Sequence, residues 1–153
     1  MMEILTGIFG NYIIRVAFLS WLTAQVLKTI INFCFTKKFH VERLVGAGGM
    51  PSSHTAFVVS TAIATARQCG TASAEFALAA VLAGVVIYDA MGVRRAAGEQ
   101  AKMINEMVDQ LLERTLLNEK NLPQIKQLKE MLGHTPLEVL GGFLVAIIVS
   151  SLF

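Results

Sequence analysis

The sequence predicts an all-α, polytopic membrane protein: a single integral membrane domain over residues 1–153, with about four transmembrane helices and an amphipathic interfacial segment. Hydrophobic residues make up 54% of the chain and charged residues only 16%, whereas about 25% of an average soluble domain is charged. Most of the charges fall in residues 36–45 and 93–130. Long apolar stretches separated by short charged ones are typical of a small membrane protein.

Four apolar stretches are candidate membrane spans. Residues 11–35 are long enough to cross, because a helix needs about 20 residues to do so. Residues 52–68 are shorter and rich in Ala, Ser and Thr, which predicts a helix that packs against protein more than against lipid. Residues 73–92 and 136–153 are also apolar and complete the set.

A polar segment, residues 94–133, separates the third candidate span from the fourth. Met103, Met107 and Leu111 lie there among many charges, a pattern that predicts an amphipathic helix in or near the membrane interface. Residues 118–123 are expected to interrupt this helix, because they include Asn118 and Pro123.

The loop charges predict the orientation. The loops after the first and third spans carry ten Lys and Arg residues, while the short second loop around Gly70 carries none. The chain is expected in the cell's inner membrane. The positive-inside rule then places its first and third loops on the cytoplasmic side. This arrangement brings one end of every helix to the cytoplasmic face, where we expect the functional site.

Polar residues mark that end of two helices. Gln25, Lys28 and Asn32 are spaced by three and four residues, so they form one stripe on the first helix. A lysine within a membrane span is a functional-site hypothesis by default; the alternative is that Lys28 extends to the lipid headgroups. Asp89, near the end of the third helix, has either a chemical role or the structural role of neutralising Lys28 or an arginine.

The second helix begins in the stretch "GGMPSSHTAF". Ser52 or Ser53 is a suitable N-cap, which alone would explain one serine. The free N–H groups and positive dipole end of a helix N-terminus also favour an anion. His54 follows directly, beyond what capping requires.

The fourth helix begins with "HTPLE". Thr135 as N-cap, Pro136 in the first turn and Glu138 three residues after the cap form a capping box. That motif leaves His134 unexplained. Two histidines therefore stand at two helix N-termini on the same predicted face, and with Lys28 and two arginines they would form a cationic cup suited to phosphate.

The motifs also carry a resemblance. "PSSH" resembles the PSGH motif of the type 2 phosphatidic acid phosphatase superfamily, which includes the vanadium haloperoxidases. The series "GGMPSSHTA", "YDAMGVRRAAGEQA" and "LGHTPLEVLGG" is similar to the divergent membrane branch of that superfamily, the acid phosphatase/vanadium-dependent haloperoxidase related proteins. The resemblance extends from about Gln25 to Gly142.

The resemblance implies a role for each motif residue. His134 would be the nucleophile that takes the phosphoryl group, oriented by Glu138 in place of the usual Asp. His54 would be the acid that protonates the leaving oxygen. Ser52 and Ser53 would bind phosphate, as would an arginine corresponding to Arg94 or Arg95.

Two departures from the superfamily pattern affect the cations. The usual first block has a lysine, six residues, then arginine and proline, but five residues separate Lys37 from Arg43 and no proline follows. We therefore prefer Lys28 as the phosphate-binding lysine and keep Arg43, Gln25 and Asp89 as supporting candidates. In the third block, 38 residues separate Arg95 from His134, so the arginine must return through the fold.

Together these observations predict a lipid phosphate phosphatase that needs no cofactor and no metal. Its substrate would be a phosphomonoester or diphosphate such as phosphatidylglycerophosphate, phosphatidic acid or an isoprenoid diphosphate. The alternative function is a catalytically silent lipid-phosphate binder or carrier. A metal site at His54, Asp89, His134 and Glu138 is disfavoured by the surrounding cations. The partners expected are membrane lipids and no nucleic acid, since the net charge is only +2; a homo-oligomer is left open.

Overall fold

The structure, a computed structural model, describes residues 2–37, 49–116, 128 and 133–153. Arg43 and the predicted helix interruption at 118–123 lie outside the described residues. The described part is all-helical, which confirms the predicted fold class. Its helices are α1 (Met2–Gly10), α2 (Tyr12–Thr36), α3 (Ser53–Cys69), α4 (Ala74–Met91), α5 (Val93–Leu116) and α6 (Pro136–Leu152).

Two helical stretches in the described residues are long and apolar enough to cross a membrane. They are Tyr12–Phe35 in α2 and Ala74–Leu111, which runs from α4 into α5. The helix α6 is apolar but has only 17 residues, and α3 has the same length with a more polar composition. The count of four crossings therefore stays a prediction.

Two helices of the structure, α1 before α2 and α5 after α4, are not simple membrane spans. The short helix α1 was not predicted, because nine residues carry too little hydrophobic pattern to identify a helix. It ends just before Asn11, whose side chain accepts a hydrogen bond from the Ile14 N–H at 3.2 Å and caps α2. The helix α5 exposes Met103, Met107 and Leu111, as an amphipathic interfacial helix would.

The core is built around α3, which packs against α2, α4 and α6. Small side chains make this possible: Ala24 of α2, Ala56 of α3 and Ala146 of α6 are completely buried. By contrast, α4 buries only Ala83 and Ala90 among its apolar residues, so most of its surface faces outward. The helix rich in Ala, Ser and Thr, α3, is thus the one that packs against protein on several sides.

Close backbone contact joins the N-terminal ends of α3 and α6. A Cβ added at Gly142 would lie 2.5 Å from the Ser52 carbonyl oxygen and 2.7 Å from Thr55 Cβ, so only glycine allows this approach. Beside it, the Ser52 N–H donates to the Glu138 carbonyl at 2.9 Å. The two helix N-termini are therefore fixed side by side.

The chain that leads into α6 is held against the junction of α4 and α5. The His134 N–H donates to the Ala90 carbonyl at 2.9 Å. A Cβ at Gly133 would lie 2.6 Å from that same oxygen and would collide with the Arg95 backbone. The arginine block and the histidine block, distant in sequence, therefore meet through their backbones.

A side chain on α5 makes a second connection of this kind. The Asn105 amide donates to the Leu128 carbonyl and accepts from the Leu128 N–H, both at 2.8 Å. Asn105 is buried, so this pair of hydrogen bonds is shielded from competing water. It ties residue 128 to α5 only five residues before Gly133.

Candidate active site

The N-terminus of α3 contributes a hydroxyl group and backbone N–H groups to the candidate site. Ser52 is the N-cap and is completely buried. Its Oγ accepts from the Thr55 N–H at 3.2 Å and from the Thr55 hydroxyl at 3.0 Å. A hydroxyl accepts two hydrogen bonds and donates one, so the Ser52 proton remains as a donor. The N–H groups of Ser53 and His54 belong to the first turn of α3, where backbone N–H groups point out of the helix end.

The N-terminus of α6 holds the second histidine in a fixed orientation. Thr135 and Glu138 form the predicted capping box: the Glu138 N–H donates to Thr135 Oγ1 at 3.3 Å, and Glu138 Oε2 accepts from the Thr135 N–H at 3.1 Å. The same Oε2 lies 3.0 Å from His134 Nδ1. The His134 side chain is 4% exposed, so this carboxylate contact is largely screened from solvent.

The two histidine rings lie near each other at the joined helix ends. The ring centres of His54 and His134 are 6.0 Å apart and the rings are inclined by 52°. A reacting atom lies about 3–3.5 Å from a group positioned to attack it. The two rings are therefore close enough for one phosphate group and its leaving oxygen to lie within reach of both histidines.

Lys28 and Gln25 lie inside the helix bundle. Lys28 is 2% exposed and Gln25 5% exposed, which is not how a lysine that extends to the headgroups would be placed. Ala24, one turn before Lys28, belongs to the same buried cluster as Ala56, two residues after His54. Lys28 and His54 therefore both lie within about one helical turn of a shared contact between α2 and α3.

The arginines are placed differently. Arg95 Nε pairs with Glu99 Oε1 at 3.1 Å, and both side chains are more than half exposed. Arg94 begins the same helix, but its side chain is not among those that the structure describes. Asp89 is half-buried near the end of α4. The structure thus joins the Arg95 backbone to Gly133 while its guanidinium binds Glu99.

Several residues at the site were not identified from the sequence. Thr55 supplies both hydrogen bonds that Ser52 accepts, and Gly133 and Gly142 permit the close backbone contacts. The glycines were visible inside the motif "LGHTPLEVLGG", but a single sequence does not indicate what each glycine touches. No local sequence pattern indicated a role for Asn105, because its hydrogen-bond partner is 23 residues away.

Metal-ligating side chains are not clustered in the part of the chain that the structure describes. No three of its His, Cys, Asp and Glu residues are grouped as ligands of one ion. The grouping there is instead the pair His54 and His134, with Glu138 bonded to one of them.

Comparison with known proteins gives the family. The model of the divergent PAP2 family matches residues 9–149. The chain belongs to the divergent PAP2 family. An uncharacterized membrane protein of Bacillus subtilis (strain 168), YuiD, is similar to it, with 37% identity over 155 residues that cover 97% of this chain and 95% of the relative. No solved structure matches. Membership of the divergent PAP2 family confirms the resemblance that the three motifs carry. The similarity to a membrane protein and the apolar helices support the prediction that this chain is a membrane protein.

Proposed function

We propose that this member of the divergent PAP2 family is a metal-independent phosphatase that hydrolyses a phosphomonoester or diphosphate of a membrane lipid. The observation that carries the proposal is the pair of histidine rings 6.0 Å apart, one of them bonded to a carboxylate. A carrier needs cations around phosphate, but it does not need one histidine oriented by a carboxylate and a second histidine beside it.

The first step is transfer of the phosphoryl group to His134. Because Glu138 Oε2 lies against Nδ1, the proton is expected on Nδ1 and the lone pair on Nε2. Nε2 attacks phosphorus, the Nε2–P bond forms, and the bond from phosphorus to the lipid oxygen breaks. His54 gives its proton to that oxygen, which leaves as the lipid alcohol. The carboxylate of Glu138 stabilises the positive charge that develops on the His134 ring.

The second step returns the enzyme to its starting state. Water attacks the phosphorus atom of phosphohistidine, and His54, now neutral, takes a proton from that water. The P–N bond breaks, the electron pair returns to His134 Nε2, and inorganic phosphate leaves. Each histidine ends in the protonation state in which it began, so the cycle balances.

The remaining groups would hold the phosphate oxygens. The Ser52 hydroxyl and the N–H groups of Ser53 and His54 are donors at a helix N-terminus, a place that favours anions. The buried ammonium of Lys28 would add charge, together with Arg94 or Arg95. Such preformed donors stabilise the charge on the three equatorial oxygens of the transition state.

The predicted orientation favours substrates that lie in the cytoplasmic leaflet of the cell's inner membrane. Phosphatidylglycerophosphate and phosphatidic acid fit that placement, whereas isoprenoid diphosphates would fit a site that faces outward. The second candidate function is a silent lipid-phosphate binder. It is favoured by one observation: the Arg95 guanidinium pairs with Glu99 on the exposed surface, so one of the two candidate arginines of the third block is bound elsewhere.

Phosphate release from a panel of lipid phosphates by the detergent-purified protein tests the proposal. We expect release from at least one lipid, inhibition by vanadate, which resembles five-coordinate phosphorus, and no effect of EDTA. The control is His134→Ala, which should release no phosphate. Activity lost in EDTA and restored by Mg²⁺ would contradict the metal-independent mechanism, and tight binding without release would favour the carrier.

A further inference from the structure

A groove on the side of the bundle runs between α3, α4 and α6. Its volume is about 670 Å³ and it is open along one side. Its walls are almost entirely apolar, and small residues leave the space: Ala62, Ala66, Ala80, Ala83 and Gly84. Because α4 is exposed over most of its length, we expect the open side of the groove to face lipid if α4 spans the membrane as its length and composition predict.

One end of the groove lies towards the candidate active site along all three helices. Val59 is five residues from His54, Phe143 is five residues from Glu138, and Ile87 is three residues from Ala90. The carbonyl of Ala90 in turn accepts the His134 N–H. At a rise of 1.5 Å per residue, each wall begins about 5–8 Å further along its helix axis than these residues of the site.

The other end of the groove is polar. Arg67 and Thr71 line it, and the Arg67 guanidinium donates to the Ser150 carbonyl near the end of α6. Along α4 the groove extends from Ile87 to Phe76, which corresponds to about 16 Å of helix. An apolar occupant longer than this would meet a guanidinium.

We propose that this groove holds the hydrocarbon chain of the lipid phosphate whose phosphate binds between the two histidines. The inference rests on the proposed function and adds how the substrate is bound. The order of environments matches an amphiphile: a cationic, N–H-rich cup for the head lies at one end of the helices, and an apolar channel for the tail begins one to two turns further along them. A helix of a second copy would instead cover the side through which a membrane lipid reaches the histidines.

The groove gives the enzyme a preference for chain length. Each methylene that is buried from water strengthens binding by roughly fourfold, so short-chain, water-soluble substrates bind more weakly. Lengthening the chain should lower KM until the tail reaches Arg67, and should have little effect beyond that. The chemistry at His134 does not depend on the tail, so kcat should change less than KM.

Filling the groove tests the proposal through a comparison of substrates. Ala80→Phe places a large ring in the groove, while Leu82→Phe adds a ring on the opposite, exposed face of α4 and is the matched control. We expect Ala80→Phe to raise KM for a long-chain phosphatidic acid at least tenfold while leaving hydrolysis of a short-chain analogue unchanged. Equal effects on both substrates, or no effect on either, would overturn the groove as the site of the tail.

A cross-linking experiment tests the same groove without turnover. Wild-type and His134→Ala proteins are illuminated with a phosphatidic acid that carries a diazirine on its chain, and the labelled residues are mapped by mass spectrometry. We expect label on Ile63, Ala83 or Ile87, reduced by unlabelled phosphatidic acid but not by phosphatidylcholine of equal chain length. Label confined to the outer face of α4, equal competition by phosphatidylcholine, or a cross-linked dimer would each overturn the proposal.

The two experiments separate the two ideas. Selective label in the groove with no phosphate release from any lipid would contradict the phosphatase function but keep the groove as a lipid-phosphate tail site. Phosphate release with unselective label would keep the phosphatase and reject the groove.

Discussion

The contact between α3 and α6 at Gly142 gives the sharpest prediction. In Gly142→Ala, the added Cβ would lie 2.5 Å from the Ser52 carbonyl oxygen, where ordinary contacts begin near 3.4 Å. The neighbours at this point are two backbone atoms and Thr55 Cβ, none of which can turn away by a change of rotamer. The two helix ends must therefore separate by roughly 0.9 Å, with an overpacking cost of about 1–3 kcal/mol. His54 and His134 stand on those two ends, and a misplacement of about 1 Å can reduce turnover about 100-fold.

The matched control is Gly7→Ala, since a Cβ at Gly7 meets nothing within 4 Å. Phosphate release and thermal unfolding are measured for both variants and for the wild type in the same detergent. We expect Gly142→Ala to lose about 100-fold in kcat/KM while remaining folded, and Gly7→Ala to keep its activity. Wild-type kcat/KM in Gly142→Ala would refute the claim that this helix contact sets the spacing of the histidines.

Three other changes have defined outcomes. His134→Ala should abolish turnover but keep the helical circular dichroism, because the residue precedes α6; more than a few per cent residual phosphate release would exclude it as nucleophile. Lys28→Met should reduce kcat/KM by about 10²–10³-fold and weaken protection by vanadate in thermal unfolding, whereas unchanged protection would remove Lys28 from the phosphate site. Single cysteines at Lys38, Gly70 and Lys120, in a background without the native cysteines, should react from the cytoplasmic, outer and cytoplasmic sides; reaction of positions 38 and 120 from opposite sides would contradict the shared site.

Local signals in the sequence predicted the helices and the caps. Apolar length identified α2 and α4, and the Ser/Thr/Ala content of residues 52–68 predicted a helix packed against protein. A cap at Ser52 or Ser53 and the capping box of Thr135 and Glu138 were predictable because each motif uses residues three positions apart, and the structure places the first cap at Ser52. These features depend on a few adjacent residues, so one sequence contains all the information needed.

Contacts between segments that are distant in the sequence could not be predicted from such local signals. The sequence left 38 residues between Arg95 and His134, and only the fold brings Gly133 against the Arg95 backbone. The Asn105 amide bonds to Leu128, a partner that helical periodicity cannot indicate. Nor could the sequence choose between Arg94 and Arg95, since neighbouring helix positions differ by about 100° in direction and the packing decides which one turns inward.

The oxygen Oε2 of Glu138 both caps α6, through the Thr135 N–H, and contacts His134. The capping box uses Glu or Gln at this position, which gives a structural reason for Glu where the superfamily usually has Asp. Forming the first turn of α6 and orienting the histidine are therefore one cooperative event. By thermodynamic linkage, any ligand that binds only the oriented histidine must also stabilise that turn. Bound vanadate should then slow hydrogen–deuterium exchange at the amides of Thr135 and Glu138, so the helix terminus itself reports occupancy of the site.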